Sequence, residues 1–134
     1  MKGAAMYAID AGQHYAQTEV STVSPARLVL LMYDAALSAV EIARAALTSA
    51  HPDLALVSTQ LTRAQQLVTE LELALDHDRG GQIAASLQAL YAYARERLVH
   101  ANLSKDTAPL DEVTRIIAEL RDAWATSVVG MERT

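Results

Sequence analysis

The segment from Leu28 to Tyr33 most constrains the fold, because it places six apolar or aromatic side chains in a row at the start of a helix. Ser24 marks the helix start as a hydroxyl N-cap, and Pro25 occupies the first helical position. An amphipathic helix keeps one polar face, and this segment has none. We therefore expect a second surface, from the chain itself or from a partner, to cover it.

The composition predicts an all-α protein of one domain. The chain has 134 residues and is rich in alanine and leucine, with no phenylalanine and only five glycines. Without cysteine it can form neither a disulfide nor a thiolate metal site. A net charge of -5, with acids and bases interspersed, argues against nucleic-acid binding and against a basic membrane-surface helix. No apolar run is long enough for a signal peptide or a membrane span, so we expect a cytoplasmic protein.

Apolar periodicity and helix breakers divide the chain into an arm, four helices and a tail. The breakers are a His-Pro-Asp sequence at 51–53, a Gly-Gly pair at 80–81 and a polar stretch at 104–107. The predicted units are an arm or short capping helix at 1–23, a bundle at 24–129 with helices at about 25–48, 53–76, 82–102 and 107–129, and a frayed tail at 130–134.

Helices of this length with short connections predict an elongated, antiparallel (up-down) four-helix bundle. On the first helix we expect Leu28, Met32 and Ala35 to face the bundle. Val29 and Tyr33 should then face whatever covers the segment. The alanine content of the first and third helices predicts that these two approach closely.

Tests for enzymatic chemistry find little support. A di-iron bundle needs Glu-x-x-His pairs, and the nearest spacing, Glu96 to His100, is one residue too long. Consecutive Asp, His and Asp at 76–78 cannot all converge on one ion. We predict no catalytic residue, no metal site and no cofactor. A metal-carboxylate bundle enzyme and a purely structural helical oligomer remain the alternatives.

One cluster combines aromatic and basic residues, namely Tyr91 and Tyr93 with Arg95 and Arg97. Residues 91 and 95 share one helix face, as do 93 and 97. The cluster is interpreted either as a core tyrosine beside solvated arginines or as the polar rim of a peptide groove.

Two groups of motifs follow one another along nearly the whole chain. The first is Ser-Pro at 24–25, Leu28 and Leu-Met-Tyr-Asp at 31–34, followed by Ala35. The second runs from Gly-Gly at 80–81 through Leu-Tyr-Ala-Tyr at 90–93 and Arg-Leu at 97–98 to Leu-Arg-Asp-Ala-Trp at 120–124. In this order the motifs resemble the flagellin export chaperones of the FliS type, in which glycine is usual at the position of Ala35.

The resemblance implies a cytoplasmic chaperone, not an enzyme, that binds the disordered C-terminal segment of flagellin. Binding would prevent premature polymerisation and keep flagellin ready for the flagellar type III export gate. The client would fold onto apolar grooves of the bundle as it binds. A component of the export gate, a co-chaperone and an anti-sigma factor are further implied partners, and both a monomer and an arm-exchanged homodimer are compatible with this role.

The resemblance also implies that the arm lies over part of the client groove. Tyr7 and Tyr15 match the tyrosine positions of the family's arm, and Ile9 adds an apolar contact. The predicted partner-binding residues are Tyr7, Ile9, Tyr15, Leu28, Val29, Leu31, Met32, Tyr33, Tyr91 and Arg95.

Overall fold

Four helices form a ring around one core in a computed structural model that describes residues 23–132, with side chains through residue 130. They are α1 (Pro25–Thr48), α2 (Leu54–Leu73), α3 (His77–Ser104) and α4 (Ala108–Glu132). Each helix packs against its neighbours in chain order, and α1 also packs against α4. This confirms the predicted all-α four-helix bundle. No helix in this part of the chain is long and apolar enough to cross a membrane.

Polar contacts near the helix ends show that α1 runs antiparallel to α4, and α2 antiparallel to α3. Trp124 Nε1, near the end of α4, donates to the carbonyl oxygen of Ala26 at the start of α1, at 2.7 Å. At the opposite end of the bundle, Ser58 Oγ on α2 donates to Asn102 Oδ1 on α3 at 3.1 Å. Lys105 Nζ donates to both of these side-chain oxygens, at 2.9 Å and 2.6 Å. The start of α2 is therefore joined to the end of α3.

Local capping sets the start of α1. The Ser24 side chain accepts a hydrogen bond from the backbone N–H of Arg27 at 3.2 Å, with Pro25 at the first helical position. This cap satisfies one of the backbone donors that a helix start otherwise leaves without a partner.

The connection between α2 and α3 differs from the sequence expectation. Asp76 takes extended backbone angles and accepts a hydrogen bond from the N–H of Arg79, so a short helical turn begins at His77, before the break at Gly81. Because Asp76 must leave the helical conformation to cap α3, α2 ends at Leu73 and not at residue 76. Gly81, with φ 51° and ψ -123°, then interrupts the helical conformation at angles that glycine adopts without the clash of a Cβ atom, and the long part of α3 runs from residue 82 as predicted.

The core combines a buried face of α1 with the apolar stripes of α2, α3 and α4. Leu54, at the start of α2, lies outside it, because its side chain is half exposed. The buried members of these stripes are Val57, Leu61, Ala64, Val68, Leu71, Tyr91, Ala94, Leu98, Ala101, Leu110, Val113, Ile117, Trp124 and Val128.

On α1 the predicted orientation is wrong. Val29 is fully buried and Tyr33 is only 2% exposed, whereas Leu28, Met32 and Ala35 are partly buried. Six consecutive apolar residues present no polar face, so the sequence carries no local signal for the rotation of the helix. The positions of the other helices decide it.

The expected close approach of the first and third helices is also wrong. These two helices lie diagonally across the ring, and α1 packs most closely against α2. Ala36, Ala39 and Ala43 on α1 and Ala64 on α2 are all buried. Small side chains at a helix contact allow a short distance between the helix axes.

Candidate partner-binding surface

The predicted partner-binding residues fall into distinct environments. Three lie outside the described residues: Tyr7, Ile9 and Tyr15. Three are buried in the core: Val29, Tyr33 and Tyr91. Three are partly buried: Leu28, Met32 and Arg95. Leu31, with 49% of its surface exposed, is the member of the described set that presents most apolar surface to a partner.

Tyr33 and Tyr91 meet across the bundle. Their hydroxyl oxygens are 2.5 Å apart, in a buried hydrogen bond that joins α1 to α3. Burial raises the pKa of Tyr33 to about 12, and burial also raises the pKa of Tyr91. Both hydroxyls therefore stay neutral at ordinary pH, and each supplies a partner that a buried polar group requires. In the described structure the two tyrosines hold the core together.

Arg95 links α3 to α2 through an ion pair with Glu72. Both side chains are partly buried, and the guanidinium lies beside a polar cleft lined by Thr62, Gln65, Gln66, Thr69 and Glu70. For Tyr91 this arrangement agrees with the first interpretation of the aromatic and basic cluster, because the tyrosine lies in the core. It places Arg95 at a polar interface between helices.

The outer edge of the α3–α4 interface is closed by side chains that pair with one another. Glu112 on α4 accepts hydrogen bonds from Tyr93 Oη and, at 2.8 Å, from Arg97 Nε. The hydrogen bond from Tyr93 is the main cause that holds the pKa of Glu112 below its ordinary value, and Arg97 acts in the same direction. The carboxylate thus stays charged and connects both residues of α3 to α4.

Ion pairs also span the α1–α4 interface. Arg121 Nε lies 2.8 Å from Asp34 Oδ1, and Arg44 pairs with Asp111 towards the other end of the bundle. Asp34 belongs to the first family-like motif and Arg121 to the last. The contact between them shows one way in which these distant motifs are joined by the fold.

A different surface lies along the outside of the α1–α2 pair, and we call it the α1–α2 groove. Its centre is a cleft of about 210 Å³ lined by Ala35, Ser38, Ala39, Ile42, Gln60 and Arg63. Leu31 continues the α1 side of the groove by helical spacing, and Leu56 continues the α2 side. Leu31, Ile42 and Leu56 are 49%, 41% and 37% exposed.

Sequence reasoning missed two of the apolar residues of this groove. Ile42 and Leu56 are not among the predicted partner-binding residues. The spacing of Leu31, Ala35, Ser38 and Ile42 on one helix face was visible in the sequence. Which face would remain uncovered was not visible, because it depends on the position of α2.

Similarity to known proteins identifies the family. A family model described as Flagellar protein FliS matches residues 8–130. The chain belongs to the FliS family. It is 36% identical to the flagellar secretion chaperone FliSB of Pseudomonas aeruginosa, over 89% of this chain and 96% of that protein.

Two further members of the FliS family show a similar level of identity. The flagellar secretion chaperone FliS of Bacillus subtilis is 33% identical over 85% of this chain and 83% of its own length. That of Salmonella typhimurium is 32% identical over 89% of this chain and 90% of its own length. The resemblance inferred from the motifs is confirmed, as is the prediction that the chain is not an enzyme, since the family is one of chaperones.

Proposed function

We propose that this chain is a cytoplasmic flagellar export chaperone and that its client is the disordered C-terminal segment of flagellin. Membership of the FliS family supports the chaperone role. The observation that carries the choice of client is the apolar surface along α1, where Leu31 and Ile42 remain 49% and 41% exposed. A disordered segment with short amphipathic helices is the kind of ligand that fits an apolar groove between two helices.

Binding of this kind explains how a small bundle can restrain a polymerising subunit. The client segment folds as it binds, so much of its interaction energy offsets the entropy cost of ordering. While held, the segment is unavailable for filament assembly, which prevents premature polymerisation. Contacts spread along an elongated scaffold can be released one after another at the type III export gate. A component of that gate, a co-chaperone and an anti-sigma factor are further partners within the proposal.

The N-terminal arm, residues 1–23, is the second proposed occupant of the client surface. Tyr7, Ile9 and Tyr15 supply its apolar contacts, and the partly exposed Leu28 lies on the surface that the arm covers in this proposal. An arm that covers its own surface gives a monomer, whereas an arm that covers a neighbour's surface gives an exchanged homodimer.

A direct test compares two forms of the flagellin from the same organism. The purified chain is titrated by calorimetry with full-length flagellin and with flagellin that lacks its C-terminal segment. We expect binding to the first and none to the second. Equal binding to both forms, or no binding to either, would contradict the proposed client.

A further inference from the structure

Helix α1 carries two apolar stripes that differ by one position along the chain. The stripe at the centre of its buried face is Val29, Tyr33, Ala36, Val40 and Ala43. The positions one residue earlier are Leu28, Met32, Ala35, Ala39 and Ile42, and none of them is polar. Both stripes follow steps of four and three residues, the spacing of one helix face. A rotation of α1 by one residue, about 100° at 3.6 residues per turn, would therefore exchange one stripe for the other in the core.

Burial of apolar surface distinguishes these two rotations only weakly. The hydrophobic effect is not directional, and cores tolerate exchanges between apolar side chains of similar volume. Two ion pairs of α1, from Asp34 to Arg121 and from Arg44 to Asp111, favour the observed rotation. Their side chains are partly exposed, however, and ion pairs of this kind contribute little stability. The choice of one rotation requires a contact that is both directional and buried.

The hydrogen bond between Tyr33 and Tyr91 is such a contact. Their hydroxyl oxygens lie 2.5 Å apart, and the Tyr91 side chain is fully buried. Rotation of α1 by one residue would turn the Tyr33 hydroxyl away from α3. The nearest residues on the buried face of α3, Leu87 and Ala94, offer the Tyr91 hydroxyl no side-chain partner. A buried hydroxyl without a partner costs its full desolvation penalty.

We propose that the hydrogen bond between Tyr33 and Tyr91 selects the rotation of α1, so that the two tyrosines act as positioning residues for the outer face of this helix. A buried polar pair can fix the arrangement of a bundle, because the alternatives leave it unsatisfied. In the observed rotation Leu31 is 49% exposed. In the alternative rotation Leu31 turns towards the core and Val29 turns outward. The consequence for partner binding rests on the proposed function, whereas the selection of the rotation does not.

Thiol accessibility in the full chain tests the selection, since the chain has no cysteine. Val29→Cys places a thiol on the stripe that is central to the core only in the observed rotation. Val57→Cys places a control thiol on α2, where the valine is equally buried. Each substitution is combined with Tyr91→Phe and, separately, with Tyr33→Phe/Tyr91→Phe. The rate of reaction with a maleimide is then compared with that of the same thiol in the chain with both tyrosines.

The two backgrounds should differ in a defined order. Tyr91→Phe leaves the Tyr33 hydroxyl without a partner in the core, and rotation of α1 returns that hydroxyl to water. Labelling at position 29 should therefore be about tenfold faster or more. The double variant keeps both rings and has no unpaired hydroxyl, so we expect a smaller increase, and it tests the proposal even where the single variant unfolds. Labelling at position 57 should change less than about twofold.

Two results would overturn the proposal. One is an unchanged labelling rate at position 29 in both backgrounds. The other is an equal increase at positions 29 and 57, because it would indicate a general loosening of the core and not a rotation of α1.

Flagellin affinity separates this inference from the proposed function. Because Tyr91 is fully buried, Tyr91→Phe can act on a partner only through the orientation of α1, and we expect about threefold weaker binding or more. Unchanged affinity together with faster labelling at position 29 would overturn the role of the tyrosines in positioning the partner surface. If the wild-type chain binds no flagellin, the proposed function fails, whereas the labelling rates still decide whether the tyrosines select the rotation.

Discussion

The α1–α2 side and the α3–α4 side of the bundle are built by different means. The α3–α4 edge is covered by long side chains that pair with one another, Tyr93 and Arg97 with Glu112. The α1–α2 pair is close, with buried alanines such as Ala36, and its outer edge is an open cleft. One edge of the same fold is thus bridged by paired side chains, whereas the other holds a cleft lined by Ala35, Ala39 and Ile42 beside Arg63.

The difference has a simple physical origin. Alanine lets two helix backbones approach but has no side chain long enough to cover the edge of the contact. Arginine, tyrosine and glutamate reach across an interface, and their aliphatic or aromatic parts cover apolar surface while their polar ends pair. An edge closed in this way gains some stability and offers little to a partner. An edge that is left open costs little stability, and its exposed surface can bind a partner.

The largest expected effect contrasts the two neighbouring tyrosines of α3. Tyr91→Ala removes a fully buried ring and should lower the free energy of unfolding by about 3–5 kcal/mol, as for other large-to-small core substitutions. Tyr93→Ala, at a side chain 42% exposed, should cost less than about 1 kcal/mol. Urea denaturation measures both. Similar losses for the two variants would show that burial of the Tyr91 ring does not dominate the stability of the core.

The second prediction concerns client affinity and uses two side chains of equal exposure. Ile42 in the α1–α2 groove and Val99 on α3 are both 41% exposed. Ile42→Asp should weaken flagellin binding about tenfold or more, because it places a charge against apolar client surface. Val99→Asp should leave the affinity within about twofold. Calorimetric titration measures the flagellin affinity of both variants. Equal losses of affinity would show that the groove has no special role in client binding.

The smallest expected effect is a pH dependence at the α3–α4 edge. The pKa of Glu112 is lowered in the folded state, chiefly by the hydrogen bond from Tyr93. Its contribution to stability is therefore present above the ordinary carboxyl pKa and is lost as the pH falls through the folded value. Thermal unfolding followed from about pH 7 to about pH 3 should show a smaller fall in Tm for Glu112→Gln than for the wild type. An equal fall in Tm for both proteins would mean that ionisation of the Glu112 carboxylate is not coupled to folding.

Prediction from sequence succeeded where the signal was local. Ser24 and Pro25 marked the start of α1. It failed where two features competed. The Gly-Gly pair marked the break at Gly81 that precedes the long part of α3, but the short helical turn that Asp76 caps at 77–80 was not predicted.

The candidate surface could be predicted only in part. Leu31 was singled out because it lies in the apolar run, and it is exposed as a binding residue should be. Tyr33 and Val29 belong to the same run and are buried. Arg63 was not among the predicted partner-binding residues, because nothing in its sequence context distinguishes it from any other arginine on a helix.

The sequence by itself determined the helices, their caps, the absence of thiol chemistry and, through its motifs, the family. Each of these depends on neighbours along the chain or on composition. Only the tertiary structure decided which side of the run from Leu28 to Tyr33 is core, since a run without polar residues has no face that water must reach. It also decided which arginines form ion pairs, because each carboxylate that pairs with Arg44, Arg95, Arg97 or Arg121 lies on a different helix from its arginine.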